Sequence, residues 1–169
     1  MTLSMYEGSI PVFISMLKNL NGILKKGEEF ANNKNIEQDV LLNSRLAADM
    51  FPLCRQVQIA TDLARRGASR LAGLEIESTD DNEVTFAELI ERVDKTLDFL
   101  KSIKPEQLEG TEQKELSIKA GGQTLNMTGL MMLLYFSLPN FYFHITTAYN
   151  ILRHNGVELG KMDYLGKPK

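Results

Sequence analysis

The side chains best suited to acid–base or nucleophilic chemistry or to metal binding are few: two histidines, His144 and His154, and one cysteine, Cys54. Both histidines fall in "LPNFYFHITTAYNILRHNG" (138–156), a helical run of Phe, Tyr, Ile and Leu. At about 100° per residue, Leu130, Ser137, Phe141 and Ala148 lie within roughly 60° of His144, which puts the imidazole on the inward stripe. Asn140 stands one turn before it and Thr147 about one turn after, so a polar ridge edges the apolar stripe. His154 lies about 80° round and roughly 15 Å along the axis. Two imidazoles each need about 2 Å to a shared ion, so these two cannot bind one metal within a chain. His154 reads instead as a last-turn residue near free carbonyls.

A second ridge flanks Cys54. On the helix over about 45–73, Asp49 and Gln56 stand two turns apart beside Leu46, Leu53 and Ala60. Setting the two ridges face to face gathers Asp49, Gln56, Asn140 and His144 around one pocket, the way bundles build ligand sites. His144 and Asp49 are then the candidate catalytic pair, with Asp49 orienting the ring or taking its proton. Asn140 and Gln56 are candidate substrate contacts, and His144 is also a candidate metal ligand. Plainer roles stay open: a buried neutral His144 satisfied by Asn140 or a carbonyl, a helix-start Asn140 after Pro139, and a solvated or capping Asp49 and Gln56. Cys54, between Met50 and Val57, reads as a small core residue.

Helical periodicity supplies four elements to hold these groups. The first spans about 3–30 (Tyr6, Ile10, Phe13, Ile14, Leu17, Leu20, Leu24), with Pro11 kinking or restarting it and "ANNKN" ending it. The second spans about 45–73 with Pro52 near its start. The third spans about 85–103, opened by a capping box of Thr85 and Glu88. The fourth spans about 128–155, ending in a left-handed cap at Asn155-Gly156. Between the last two, "ELSIKAGGQTLNM" (115–127) alternates about a Gly-Gly pair and predicts a short β-hairpin packed on the helices. The expectation is an all-α four-helix bundle with a hairpin before the last helix, one domain over 1–169.

Composition bounds the partners. The 169 residues include 43% hydrophobic and 24% charged, with net charge −3. A nucleic-acid binder would need a basic face, so no nucleic acid is expected. The apolar run "LMMLLYFSL" (130–138) is well short of the roughly 20 residues of a membrane span, so no membrane is expected. One cysteine excludes an internal disulfide and fits a reducing, cytoplasmic setting. "MTLSMYEGSI" lacks the basic-then-apolar order of a signal peptide.

"ADMFPLCRQVQIATD" (48–62) and the 138–166 region, "LPNFYFH" followed by "TAYNILRHNGVELGKMDYLG", carry a resemblance to the DinB/YfiT-like superfamily of metalloenzyme bundles. Within it they are similar to an uncharacterised domain-of-unknown-function branch, over nearly the whole chain. The resemblance implies a divalent metal held by a histidine of helix two and a His-x-x-x-His pair of helix four. Counted from Leu152-Arg153, His144 takes the second place of that pair and Asn140 the first. Helix two has no histidine, and Asp49 aligns loosely as a substitute. A degenerate ligand set follows, with at most a weak divalent metal. The function implied is a small-molecule pocket between helices two and four, of a thiol-dependent transferase or a vestigial metalloenzyme. The alternative is a non-catalytic ligand-binding or interaction module; a homodimer is expected.

Overall fold

In the computed structural model, which describes residues 3–76 and 78–166, four long helices lie in a ring. These are α1 (Ile10–Lys34), α3 (Leu53–Ala72), α4 (Phe86–Ser102) and α6 (Leu138–His154). Shorter elements are α2 (Gln38–Leu42), the antiparallel hairpin of β1 (Glu115–Ala120) and β2 (Gln123–Thr128), α5 (Gly129–Met131) and α7 (Lys161–Leu165). The expected all-α bundle with a hairpin before the last helix is the architecture found. Phe13, Phe86, Phe141, Leu17, Leu53 and Leu89, all fully buried, fill its centre. Phe13 of α1 meets Phe141 of α6 edge-on at 4.9 Å.

Residue contacts set the directions. Gln56 meets His144 and Gly67 meets Ser137, so α3 runs antiparallel to the last helix. Phe13 meets Phe141 and Gly27 meets Leu152, so α1 and α6 are parallel. Thr61 reaches Arg92, and Cys54 lies beside Glu83 just before α4, so α3 and α4 are parallel too. Parallel neighbours need a connection that travels back along the bundle. Residues 74–76 and 78–84, outside helix and strand, belong to this connection. Thr79 reaches Arg65 and Asp62, Asp81 reaches Arg55, and Glu83 reaches Gln58 and Cys54, in reverse order along α3.

Such a strap has no backbone ladder to hold it, and a buried arginine takes that part. Arg92, 6% exposed, donates from Nε to Thr61 at 2.8 Å and from its terminal nitrogens to Asp62, Glu83, Thr79 and the Asp80 carbonyl. Its ion pair with Asp81 is 3.0 Å. Burial alone would pull the guanidinium's pKa down; Glu83, Asp62 and Asp81 more than reverse that. The arginine is thereby paired on every side, the condition under which a buried charge is tolerated.

Several boundaries differ from the periodic reading. Pro11 opens α1 rather than kinking it, and Tyr6 precedes the helix in a turn. The helix runs on through "ANNK" to Asn35, the one non-glycine with positive φ among the described residues. α3 starts at Leu53, not near 45. Pro52 caps it, and the Leu53 N–H, which has no partner inside the helix, donates to the Ser44 carbonyl at 2.9 Å. Thr85 and Glu88 do form the capping box at α4. At the other end of α6 the positive φ belongs to Gly156 alone, at 98°, while Asn155 sits at −78°.

The last helix is interrupted. Met132–Ser137 winds as a π-helix before Pro139 restarts the α-helix in its first turn. A π turn holds more residues than an α turn, so it rotates everything before it out of phase. Ser137, Phe141 and Ala148 are buried as the 100° period requires, but Leu130, ahead of the π segment, is exposed. Among the described residues no helix is long and apolar enough to cross a membrane.

Candidate functional site

His144 and Gln56 meet. The ring Nδ1 lies 2.7 Å from Gln56 Oε1, across the interface of α3 and α6. The amide nitrogen of Gln56 donates to the Phe51 carbonyl at 2.9 Å, which orients the amide with its oxygen toward the ring. An amide oxygen only accepts, so Nδ1 carries the proton and donates. In the neutral ring, Nε2 is therefore the atom with the lone pair. Among the described residues Nε2 has no hydrogen-bond partner and is not fully buried, so water or a ligand can reach it.

The electrostatics favour the neutral ring that this tautomer requires. Burial, and then the positive charge of Arg55, hold the His144 pKa below its ordinary value. That direction favours the neutral ring, and among the described residues no carboxylate pairs with it to stabilise an imidazolium. Phe143 packs edge-on against it, ring centres 5.2 Å apart.

Asp49 is not part of this arrangement. The segment read as the first turns of helix two is a loop of turns and bends over 43–52, and Asp49 is exposed on it. Among the described residues no hydrogen bond or ion pair joins Asp49 to His144. Pro52 is the physical reason. It disfavours helical backbone at Phe51, so the chain enters α3 from an extended approach. The two-turn spacing of Asp49 and Gln56 then has no helix to act on.

Asn140 lies one turn from His144, and its amide nitrogen donates to the Phe136 carbonyl at 2.6 Å. That carbonyl faces Asn140, whose own position follows the π segment and Pro139. The Asn140 oxygen has no partner among the described residues. Gln56, 1% exposed, uses both ends of its amide internally. Cys54 donates to the Glu83 carbonyl at 3.2 Å, and burial, then Glu83, pushes its thiol up, away from thiolate character.

The Arg92 strap escaped the sequence reading. Its signal was an arginine at an inward position of the third helix, downstream of the acidic "STDDNE". A cleft of about 540 Å³ opens along it, lined by Thr61, Asp62, Arg65, Arg92 and Phe99 among others, and not at His144.

The DUF1993 family description (domain of unknown function) matches residues 5–165. The chain belongs to the DUF1993 family. A crystal structure at 1.83 Å of a DinB family member protein from Shewanella denitrificans is similar to it: 46% identical, TM-score 0.87, covering 96% of this chain and 92% of that one. No curated protein matches.

The metal implied by the DinB resemblance can be tested against this DUF1993 site. Among the described residues no three His, Cys, Asp or Glu side chains gather where one ion could be held. Around His144 the donors are one imidazole nitrogen and two amides. The Gln56 oxygen is already accepting from the ring itself. One imidazole without a carboxylate or thiolate is a poor set for a divalent transition metal. The residues do not fit the group.

Proposed function

We propose that this DUF1993 chain binds a small molecule at the α3–α6 seam and handles a proton there without a metal. His144 Nε2 is the acid–base atom. Gln56 is a positioning residue that fixes the tautomer, and the free Asn140 oxygen accepts a hydrogen bond from the ligand. The observation that carries this is the Phe51–Gln56–His144 hydrogen-bond chain, which supports a neutral ring with its lone pair outward. A base of lowered pKa is ready to accept at neutral pH. The thiol-dependent transferase chemistry implied by the DinB resemblance fits a metal-free base that draws a proton from a thiol. Asp49 has no part in it.

The test is an NMR titration of the protein with glutathione as a representative low-molecular-weight thiol. The expected result is a saturable shift of the His144 ring signals that disappears in Asn140→Ala. Unmoved His144 signals at ~10 mM thiol, ten times a weak 1 mM affinity, would reject the thiol chemistry.

A second reading, a non-catalytic dimeric module, draws on a different observation. Tyr135 and Phe143 are 77% and 56% exposed on the outer side of the last helix. Aromatic side chains are enriched where proteins pair.

A further inference from the structure

Between Lys119 and Arg153 the sequence has no Asp, Glu, Lys or Arg. This stretch includes β2, the π segment and all of α6 but its last two residues, and one side of that helix faces solvent. A water-facing helix ordinarily carries charge on that side. Here the outer positions are Met131, Leu134, Tyr135, Pro139, Phe143, Thr146 and Asn150.

The 43–52 loop extends the apolar surface. Ser44 lies against Asn155 at 3.5 Å and the Phe51 carbonyl is tied through Gln56 to His144, so this loop runs beside α6. It adds Leu46 and Phe51, 41% and 55% exposed. At roughly 200 Å² for a fully exposed side chain of this size, Leu46, Phe51, Met131, Leu134, Tyr135 and Phe143 present about 650 Å². Each partner in a standard protein interface contributes about 800 Å².

We propose that this face is a homodimer interface in which two copies of the last helix cross antiparallel about a two-fold axis at Pro139. The inference takes the dimeric reading as its premise and adds the surface and the register. Its chemistry favours a second copy. Each chain carries net charge −3, so two copies associate best through a surface without charge. An anionic membrane or a nucleic acid would need a cluster of basic residues; those outer helix positions have none, and the loop adds Arg45 alone, with Asp49 on the same loop.

The register follows from spacing. Tyr135 and Phe143 are each four residues from Pro139. A two-fold there sets Tyr135 of one copy against Phe143 of the other, and repeats that contact on the far side of the axis. A two-fold interface requires this self-complementarity. Phe143 already packs edge-on against His144, so the dimer would also border the imidazole.

The experiment is sedimentation equilibrium on the full chain, with mutants checked by circular dichroism. The expected mass is twice the 19.1 kDa of one chain. Tyr135→Glu and Phe143→Glu should each raise the dissociation constant ~100-fold or more, because a carboxylate is buried against an aromatic ring. Their circular-dichroism spectra should match the parent's, since both positions are exposed in the single chain. Tyr135→Glu combined with Phe143→Lys should recover dimer, because the proposed register places opposite charges together. A parent chain that is monomeric at ~100 µM overturns both the interface and the dimeric reading. So does a monomer that floats with phosphatidylcholine vesicles, which would assign the face to lipid. A dimer indifferent to both Glu variants overturns this interface and leaves the dimeric reading standing.

Discussion

Replacing Gln56 tests the chain from Phe51 to His144 more sharply than replacing the histidine. Gln56→Ala removes one buried methylene, Cγ, worth roughly 0.8 kcal/mol, and leaves a cavity in place of the carboxamide at a cost of about the same size. It also removes the 2.7 Å bond to the ring and the 2.9 Å bond to the Phe51 carbonyl. At about 1 kcal/mol each, less some recovery by water because Phe51 and His144 are partly exposed, the total is about 3 kcal/mol. Gln56→Met keeps the methylenes and loses only the polar contacts, so it should cost about 1–2 kcal/mol. Urea unfolding at pH 8 reads both. With a slope near 2 kcal/mol/M, the Ala variant should lower the midpoint by about 1.5 M at unchanged slope. A Gln56→Met protein as stable as the parent would refute the reasoning. The amide would then be a spacer, and nothing would hold the ring in one tautomer.

Other outcomes follow from the same contacts. Arg92→Met should cost about 3–5 kcal/mol, because Glu83, Asp62 and Asp81 lose the cation they surround; hydrogen exchange at residues 79–85 should speed up even where the rest of the chain stays protected. Gly129→Ala should fail to fold or lose most of its stability, since a Cβ there would sit 2.1 Å from the Thr111 carbonyl oxygen; expression with a thermal melt is sufficient. Because the His144 pKa is lowered on folding, the unfolded chain binds the extra proton first as pH falls below about 6.5. His144 thus contributes fully above that pH and progressively less below it, and His144→Gln should flatten the stability–pH curve below about pH 6.5.

How far the sequence could be read depended on what each feature needed. His144 and Gln56 were legible because each lies within an uninterrupted stretch of α-helix, where 100° per residue gives the correct face. Asp49 was misread because Leu46, Met50 and Leu53 keep helical spacing across a loop. Only the effect of Pro52 on Phe51 distinguishes the two cases, and it acts on the backbone rather than on the pattern. Leu130 was misplaced by the π segment. That segment is accommodated where buried Ser137 packs on Gly67, a contact between helices that periodicity cannot see. Arg92 carries the same lesson. An arginine on an inward stripe looks like an error in phase until the strap from Asp62's side of α3 to Glu83 surrounds it. The bundle and its hairpin needed only local pattern, and the "GG" turn has positive φ at both Gly121 and Gly122.

The claim on which the functional account stands is that His144 is a neutral imidazole with its proton on Nδ1 and its lone pair on an open Nε2. Long-range ¹H–¹⁵N spectra of the imidazole at pH 7.5 measure this directly. The account predicts a protonated, pyrrole-type Nδ1 and a pyridine-type Nε2, with a titration midpoint below about 6.5. A proton on Nε2, or a ring that is charged at pH 7.5, would contradict it.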